Sequence, residues 1–407
     1  MEKREAQTWY FQALDSLFFR DGTPIQQGET GIVHPRSQFP PTMMTLQGAI
    51  RSRLAYERGW RPEPKGRRKD QTWAEKYPFP SELGTHESIG DLILTGPYLT
   101  IKKDGARVRL YPAPARLVGQ KKGGSWTFSY LRPGKAVHSD LAAEAIRLPH
   151  ASKEKGKYVP LWLTTTGLEQ VLHEAKLEEQ EYYFQEQLWQ EEMKVGIARD
   201  ERKLAVEGQL YTFMHTRPHI GVEVGVDVSG VLSQAQLPAI FATPLGGEGR
   251  SAQVEVTELT AYSEGKQPTY EADKDGYIRF TATLLTPGWF MPEEGEAEYQ
   301  RRLFAQRLKE GPLLAEEELS DHQSINPFRA ISACMGKMET IGGWDMVNRK
   351  PRPLTPIAPA GSTWFYEVSS AFRAEFERRM RTHCGFKNEY GMGQLVYGKW
   401  TKEEEGK

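Results

Sequence analysis

Tyr98-Leu99-Thr100-Ile101-Lys102-Lys103, then Asp104-Gly105, then Arg107-Val108-Arg109-Leu110-Tyr111 decides how the first half of the chain is read. Two alternating segments joined through Lys103-Asp104-Gly105 predict an antiparallel hairpin, because residues two apart share a strand face and Asp-Gly supplies the turn. Residues 91–95 lead into it as a further β segment. Upstream, Leu46, Ala49, Ile50 and Leu54 recur at helical spacing within residues 43–58, so a helix with Thr45 as its cap is expected. Arg53 projects onto its apolar arc, while Arg51 lies nearer the polar side, better placed to reach a ligand. Residues 8–11 and 17–19 read as short β segments, and Thr166-Gly167-Leu168-Glu169 has the spacing of a capping box that opens a helix over 167–176. Strand, helix, hairpin and helix make a βαββα unit. Such a unit folds as an antiparallel sheet with helices on one face, an α+β arrangement.

The Gln/Glu-rich stretch 177–193 is the best domain boundary and separates units at 1–176 and 195–407. The second half is richer in strands: residues 195–198, 204–214 and 222–228, then a hairpin expected through 254–258 and 277–285. Helices are expected at 298–309 and 372–382, and a last strand at 395–400, after Gly391-Met392-Gly393.

Composition excludes several classes. With 407 residues, 38% hydrophobic, 26% charged and net charge −1, the chain has the make-up of a soluble globular protein with room for two domains. It contains no apolar run long enough to cross a bilayer and no signal-peptide core, so no membrane contact and a cytoplasmic location are expected. Cys334 and Cys384 have neither disulfide-framework nor metal-ligand spacing and read as buried thiols, so no metal and no cofactor are expected. Near-neutrality hides a basic stretch: Arg51, Arg53, Arg58, Arg61, Lys65, Arg67, Arg68 and Lys69 face only Glu57 and Glu63. A phosphate-binding patch and a solvated loop both fit that run.

Leu245-Gly246-Gly247-Glu248-Gly249-Arg250 and Gly391-Met392-Gly393 place bare backbone beside charge and aromatic rings. Glycine permits close approach of a phosphate or of another backbone, and it also simply makes turns. The second loop joins the last helix to the last strand, which predicts flexible backbone on a sheet rim. Arg250 and Arg51 are suited to fork onto phosphate oxygens. Trp289, Trp344 and Tyr390, next to glycine turns, suit either base stacking or core packing. The signatures of metallohydrolases, serine hydrolases, nucleotide hydrolases and dinucleotide enzymes are absent. His34, beside Arg36 in a Gly/Pro loop, is the one candidate general base for cleaving RNA.

The order of segments carries a resemblance. Leu14-Asp15-Ser16-Leu17-Phe18-Phe19-Arg20-Asp21-Gly22, then Pro40-Pro41 and Leu46-Gln47-Gly48-Ala49-Ile50-Arg51-Ser52, resembles the N-terminal signature of the RAMP superfamily of CRISPR RNA-binding proteins. Val195-Gly196-Ile197-Ala198-Arg199-Asp200, Glu207-Gly208-Gln209-Leu210-Tyr211, the loop at 245–250, Thr286-Pro287-Gly288-Trp289, Gly342-Gly343-Trp344-Asp345 and Pro359-Ala360-Gly361-Ser362 follow in order. Together they are similar to the third subunit of the Cmr complex, the type III-B effector.

The resemblance implies two ferredoxin-like (RRM-like) domains with antiparallel sheets, insertions and a C-terminal glycine-rich loop. It implies a non-catalytic subunit that holds the repeat-derived 5′ tag of the CRISPR RNA, at the foot of the complex and close to target RNA. Its expected neighbours are the large polymerase/cyclase-like subunit and the backbone RAMP subunits. Carried onto this chain, the tag contacts are Arg20, His34, Arg36, Arg51, Gly246, Gly247, Arg250, Gly391 and Gly393, with Tyr390 added as a stacking residue. Residues 60–79 and 291–324 look like insertions. The rival expectation is a metal-independent RAMP endoribonuclease that processes precursor CRISPR RNA through His34.

Overall fold

The computed structural model describes residues 4–20, 36–62, 75–76, 78–85, 87–139, 142–151, 156–232, 237–259, 264–293, 295–313, 327–345 and 350–402. In chain order the main elements of the first part are β1 (Arg4–Ala13), α1 (Met43–Glu57), β2 (Ile93–Lys103), β3 (Ala106–Pro112), β4 (Leu161–Leu163), α2 (Thr165–Leu172) and β5 (Tyr182–Phe184). Next come β6 (Trp189–Arg199), β7 (Ala205–Pro218), β8 (Val222–Leu232), β9 (Ile240–Pro244) and β10 (Ser251–Glu258). Eight of these strands form one antiparallel sheet in the order β5-β4-β3-β2-β8-β1-β10-β9. The hairpin read from residues 98–111 is β2 and β3, with Lys103 paired to Ala106 around the Asp104-Gly105 turn.

The second sheet uses β11 (Tyr277–Leu284), α3 (Ala297–Glu310), β12 (Arg329–Cys334), β13 (Thr363–Ser369), α4 (Arg373–Arg379) and β14 (Leu395–Lys399). Its strand order is β12-β13-β11-β14, again antiparallel. The molecule is therefore α+β with mostly antiparallel sheets and few helices.

Alternation along the strands divides each sheet into two faces. In the first sheet Trp9, Phe11, Leu94, Leu99, Val224, Val226 and Val254 are buried in one core with Leu46, Ile50 and Leu54 of α1. Arg53 of α1 sits 4.2 Å over the Phe241 ring and pairs with Glu57, so its stem lies along the apolar arc while its charge is neutralised. The opposite face is polar and nearly as buried. Arg107 forks onto Glu223 and Glu255 at 2.5–3.2 Å and lies 3.9 Å over Tyr10. Arg109 bonds both oxygens of Asp227 at 2.9 Å and lies 4.1 Å over Tyr98. Glu223 is 2% exposed and also pairs with Lys102 at 2.9 Å, so deleting Arg107 would leave this buried carboxylate to a single lysine.

Several expectations are corrected. β8 pairs between β1 and β2, so three strands C-terminal to the 177–193 stretch belong to the first sheet, and that stretch does not separate the sheets. Residues 254–258 and 277–285 are no hairpin; they lie in different sheets. Residues 17–19 make only an isolated bridge from Leu17 to Thr216. The N-cap of α1 is Thr42, and Thr164 caps α2 by accepting the Gly167 N–H at 3.1 Å. α2 does not cover the α1 face. Leu168, Val171 and Leu172 join Leu161 and Leu163 in a core that touches Tyr98 and Tyr111 of the first sheet and Leu285 and Val396 of the second.

The two sheets also meet through residues 390–394, all buried. The Gly391 carbonyl accepts the Thr286 hydroxyl at 2.8 Å, and Gly393 donates its N–H to Pro287 at 2.9 Å and accepts from Cys384 N at 2.9 Å. Gln394 accepts from the Tyr98 hydroxyl and donates to Glu264 at 2.8 Å, across the joint. The expected flexible rim at Gly391-Met392-Gly393 is thus a buried seam. Gly393 has φ +71, and a Cβ there would overlap the Cys384 carbonyl oxygen. Left-handed strain and overpacking together should make Gly393→Ala cost about 2–4 kcal/mol in urea denaturation. A loss under about 0.5 kcal/mol, an ordinary surface effect, would show that the seam yields easily.

Candidate nucleic-acid interface

β6 and β7 pair with each other, from Trp189 opposite Pro218 to Ile197 opposite Leu210, and form a two-stranded ribbon. Its turn is closed by Asp200, whose side chain accepts the Arg202 and Leu204 N–H groups at 2.9 and 2.8 Å. Three chain segments converge on the ribbon's root. Leu17 bridges to Thr216, Arg36 bridges to Met214, and Gly247 donates its N–H to the Phe18 carbonyl at 2.8 Å. Gly246 has φ +80, and a Cβ there would run into the Phe18 carbonyl and the Phe19 ring. The loop 245–250 is therefore glycine-rich because it presses on residues 18–19, and the amide of Gly247 is already used.

Charge is concentrated at this root. Arg217 bridges Glu192 and one oxygen of Asp15 (2.7 Å), Arg250 takes the other oxygen of Asp15 (2.7 Å), and Lys194 also contacts Glu192. The Ser16 backbone N–H and Arg217 hold the Asp15 carboxyl down at about 2. Hydrogen bonds from Arg217 and Lys194 do the same for Glu192, also to about 2. Three cations thus face two carboxylates, and Arg20 and Arg36, both exposed and joined through the Arg20–Ser37 and Arg36–Met214 bridges, add two more positive charges.

Beneath the ion pairs lies His215, fully buried, stacked on Phe18 (5.3 Å between ring centres, 19°) with its Nδ1 3.0 Å from the Ser16 hydroxyl. Its Nε2 has no hydrogen-bond partner among the described residues. Burial, then Arg250 and Lys194, lowers its pKa, so the imidazole is neutral near pH 7.

Of the site residues read from the sequence, Arg20, Arg36, Gly246, Gly247 and Arg250 come together here. His34 lies outside the described residues. Arg51 does not belong to the set. Its Nε, Nη1 and Nη2 are committed to the Leu83 carbonyl (2.8 Å), the Gln47 side chain (3.1 Å) and the Thr85 carbonyl (2.6 Å), so it ties α1 to the turn at Ser81–Leu83. Tyr390 is 5% exposed in the first core, and burial raises its pKa. Gly391 and Gly393 are in the seam. Arg250, although at the root, is spent on Asp15 rather than free to fork onto phosphate. Trp289 is core, with its indole N–H on the Met291 carbonyl at 2.8 Å. Asp15, Glu192, Lys194, His215 and Arg217 were not foreseen, because only the ribbon register sets Glu192 opposite His215 and brings both to residues 15–16. Among the described residues no His/Cys/Asp/Glu group has the arrangement of a metal site, and no helix is long and apolar enough to cross a membrane.

Two outcomes follow from this geometry. Arg51→Ala should lower stability by about 1–3 kcal/mol, and Arg51→Lys should fail to restore it, since an ammonium cannot reproduce the three-way fork. Full rescue by lysine in denaturant melts would make charge, not shape, the requirement. The second outcome concerns acid. Asp15 and Glu192 are held below their unfolded values, so the stability they contribute is present above about pH 4 and is lost as pH falls towards about 2. Melting temperature measured down this range should fall less steeply for an Asp15→Asn, Glu192→Gln variant than for the parent; identical slopes would place the acid limb elsewhere.

The model of the CRISPR-associated protein family Cas_Cmr3 matches residues 9–400. A chain of the type III-B Cmr-beta complex bound to cognate target RNA is similar at 14% identity, covering 96% of each chain with a TM-score of 0.45. A chain of the same complex with cognate target RNA and AMPPnP is 15% identical over 92% of this chain and 90% of that one, TM-score 0.42. A chain of the Csm3-Csm4 subcomplex of the type III-A interference complex is 12% identical over 97% and 100%, TM-score 0.37. No curated protein matches the sequence. The family model spans nearly the whole chain, from β1 to the residue after β14, and the protein belongs to the CRISPR-associated Cas_Cmr3 family.

Proposed function

We propose that the protein is a non-catalytic RNA-binding subunit of a type III-B CRISPR effector, holding the 5′ tag of the CRISPR RNA beside the large polymerase/cyclase-like subunit. The observation that carries this reading is the gathering of Arg20, Arg36, Lys194, Arg217 and Arg250 from four chain segments at the ribbon root, five cations against Asp15 and Glu192. The internal pairs fix Arg217 and Arg250, and Arg36, exposed at the root, is the cation offered to phosphate. A cluster of that kind on a ribbon root positions a backbone; it carries no acid–base pair aimed at a reacting group.

The strand orders support two ferredoxin-like units. In the second sheet β11-α3-β12-β13-α4-β14 runs in the order 2-3-1-4, the complete βαββαβ pattern. In the first, β1, α1, β2, β8 and β10 trace the same order without a second helix, and residues 106–218 enter between its second and third strands. The division proposed is thus 4–103 with 222–258 for one unit and 277–399 for the other.

An Arg36→Ala variant should bind tag-bearing RNA more weakly, with the slope of log K against log salt reduced by about 0.7, the loss of one single-strand phosphate contact. An unchanged slope in the folded variant would move the RNA elsewhere. Specific scission of repeat RNA by the purified protein would replace the clamp by the processing-nuclease reading.

A further inference from the structure

Between Gly105 and Ser139 the chain carries seven arginines and lysines and no carboxylate. Four of these cations are consumed inside the molecule: Arg107 on Glu223 and Glu255, Arg109 on Asp227, and Arg116 and Arg132 on Glu174. Lys121, Lys122 and Lys135 are exposed. The fold adds a further lysine from outside the stretch. The strand Lys157–Tyr158 pairs with Leu117–Lys122 so that Lys157 lies opposite Gly119, two residues from Lys121. Period-two alternation then sets Lys157 and Lys121 on one face, diagonal neighbours about 7–8 Å apart.

Trp126 stands directly opposite Lys121 on that same face, in the pairing of Leu117–Lys122 with Ser125–Tyr130. Its ring is half-buried and held from below, near-parallel to Phe128 (6.1 Å, 10°) and 5.2 Å from Phe184. Gly119, between the two lysines, leaves room that the Phe128 ring and Val159 fill, an apolar floor between the two cations. Neither Lys121 nor Lys157 pairs with a carboxylate among the described residues. The arginines Arg107, Arg109, Arg116 and Arg132 of this stretch, by contrast, are each paired with a carboxylate.

We infer that this small sheet is a second, sequence-independent binding track for single-stranded RNA, in which Lys121 and Lys157 neutralise successive backbone phosphates and Trp126 supplies a fixed ring against a base. The inference rests on the reading of the protein as an RNA-binding subunit. An ammonium is a point charge suited to any phosphate oxygen, and an aromatic ring accepts every base, so the track reads backbone and not sequence.

The test uses the full-length protein and a long oligouridylate that lacks the tag, with fluorescence anisotropy across a salt series. Lys121→Gln, Lys157→Gln and Lys121→Glu, Lys157→Glu should each reduce the salt slope by about 1.4, two single-strand phosphate contacts, with unchanged melting temperature. Trp126→Leu, which keeps apolar packing, should lower affinity about tenfold and leave the slope alone. An unchanged slope in both lysine pairs overturns the inference and leaves an acidic protein surface as the occupant. The tag reading is scored separately: if the parent binds tag-bearing RNA no tighter than oligouridylate while the lysine pairs still lose slope, the track stands and the tag clamp falls. If tag preference persists and the lysine pairs change nothing, the clamp stands and the track falls.

Discussion

The placement of the last strand between two sheets is the constraint on which the rest of the architecture hangs. Gln394 is 5% exposed, receives the Tyr98 hydroxyl from the first sheet, donates to Glu264, and directly precedes the strand that completes the second sheet. A side chain amide with a donor and an acceptor is suited to such a crossing, because it satisfies a polar group on either side without introducing net charge. Only bare backbone reaches it: Gly391 lies against Leu94 and Gly96, and Gly393 lies against Cys384. The seam turns one face of each sheet onto the same intervening segment, where the leucines of β4 and α2 fill the gap.

Given that packing, the helix-free face of the first sheet is closed to a ligand. Tyr98 and Tyr10 would be stacking platforms in an open sheet, but each is covered by a guanidinium and is under 3% exposed. The carboxylates Glu223, Glu255 and Asp227 neutralise those guanidinium groups. Exposed positive charge outside these pairs lies at the periphery, at Arg36 of the ribbon root and at Lys121 and Lys157 of the small sheet. This distribution makes a net charge of −1 compatible with the proposed binding to RNA: the compensating acids are inside, beside the arginines that need them.

What the sequence made legible was local. The β2–β3 hairpin, α1, α3 and the last strand depend on alternation, helical spacing and turn residues within a dozen positions, and each was found. The insertion of β8 between β1 and β2 was not legible, since apolar alternation in Val222–Leu232 is the same whichever neighbours it takes. The two glycine loops illustrate the limit at the site. A bare backbone that must approach RNA and one that must approach Phe18 or Cys384 have the same composition, so Gly246, Gly391 and Gly393 read as ligand contacts when their neighbours are protein. Arg51 failed for a related reason: a helix position on the polar side is suited to a phosphate and equally to the carbonyls of a distant turn.

The interleaved first sheet also sets a timetable for synthesis. β1 ends at Ala13, yet its two neighbours, β8 and β10, are complete only at Leu232 and Glu258. At about 5–20 residues per second, a ribosome leaves the N-terminal strand without its partners for roughly 10–50 s. During that interval Trp9, Phe11 and the apolar face of α1 have no sheet to cover them, whereas every strand of the second sheet emerges within one continuous stretch. The nascent N-terminal half is thus the part of the chain most in need of a holding chaperone, and the C-terminal half is the part able to fold as it is made.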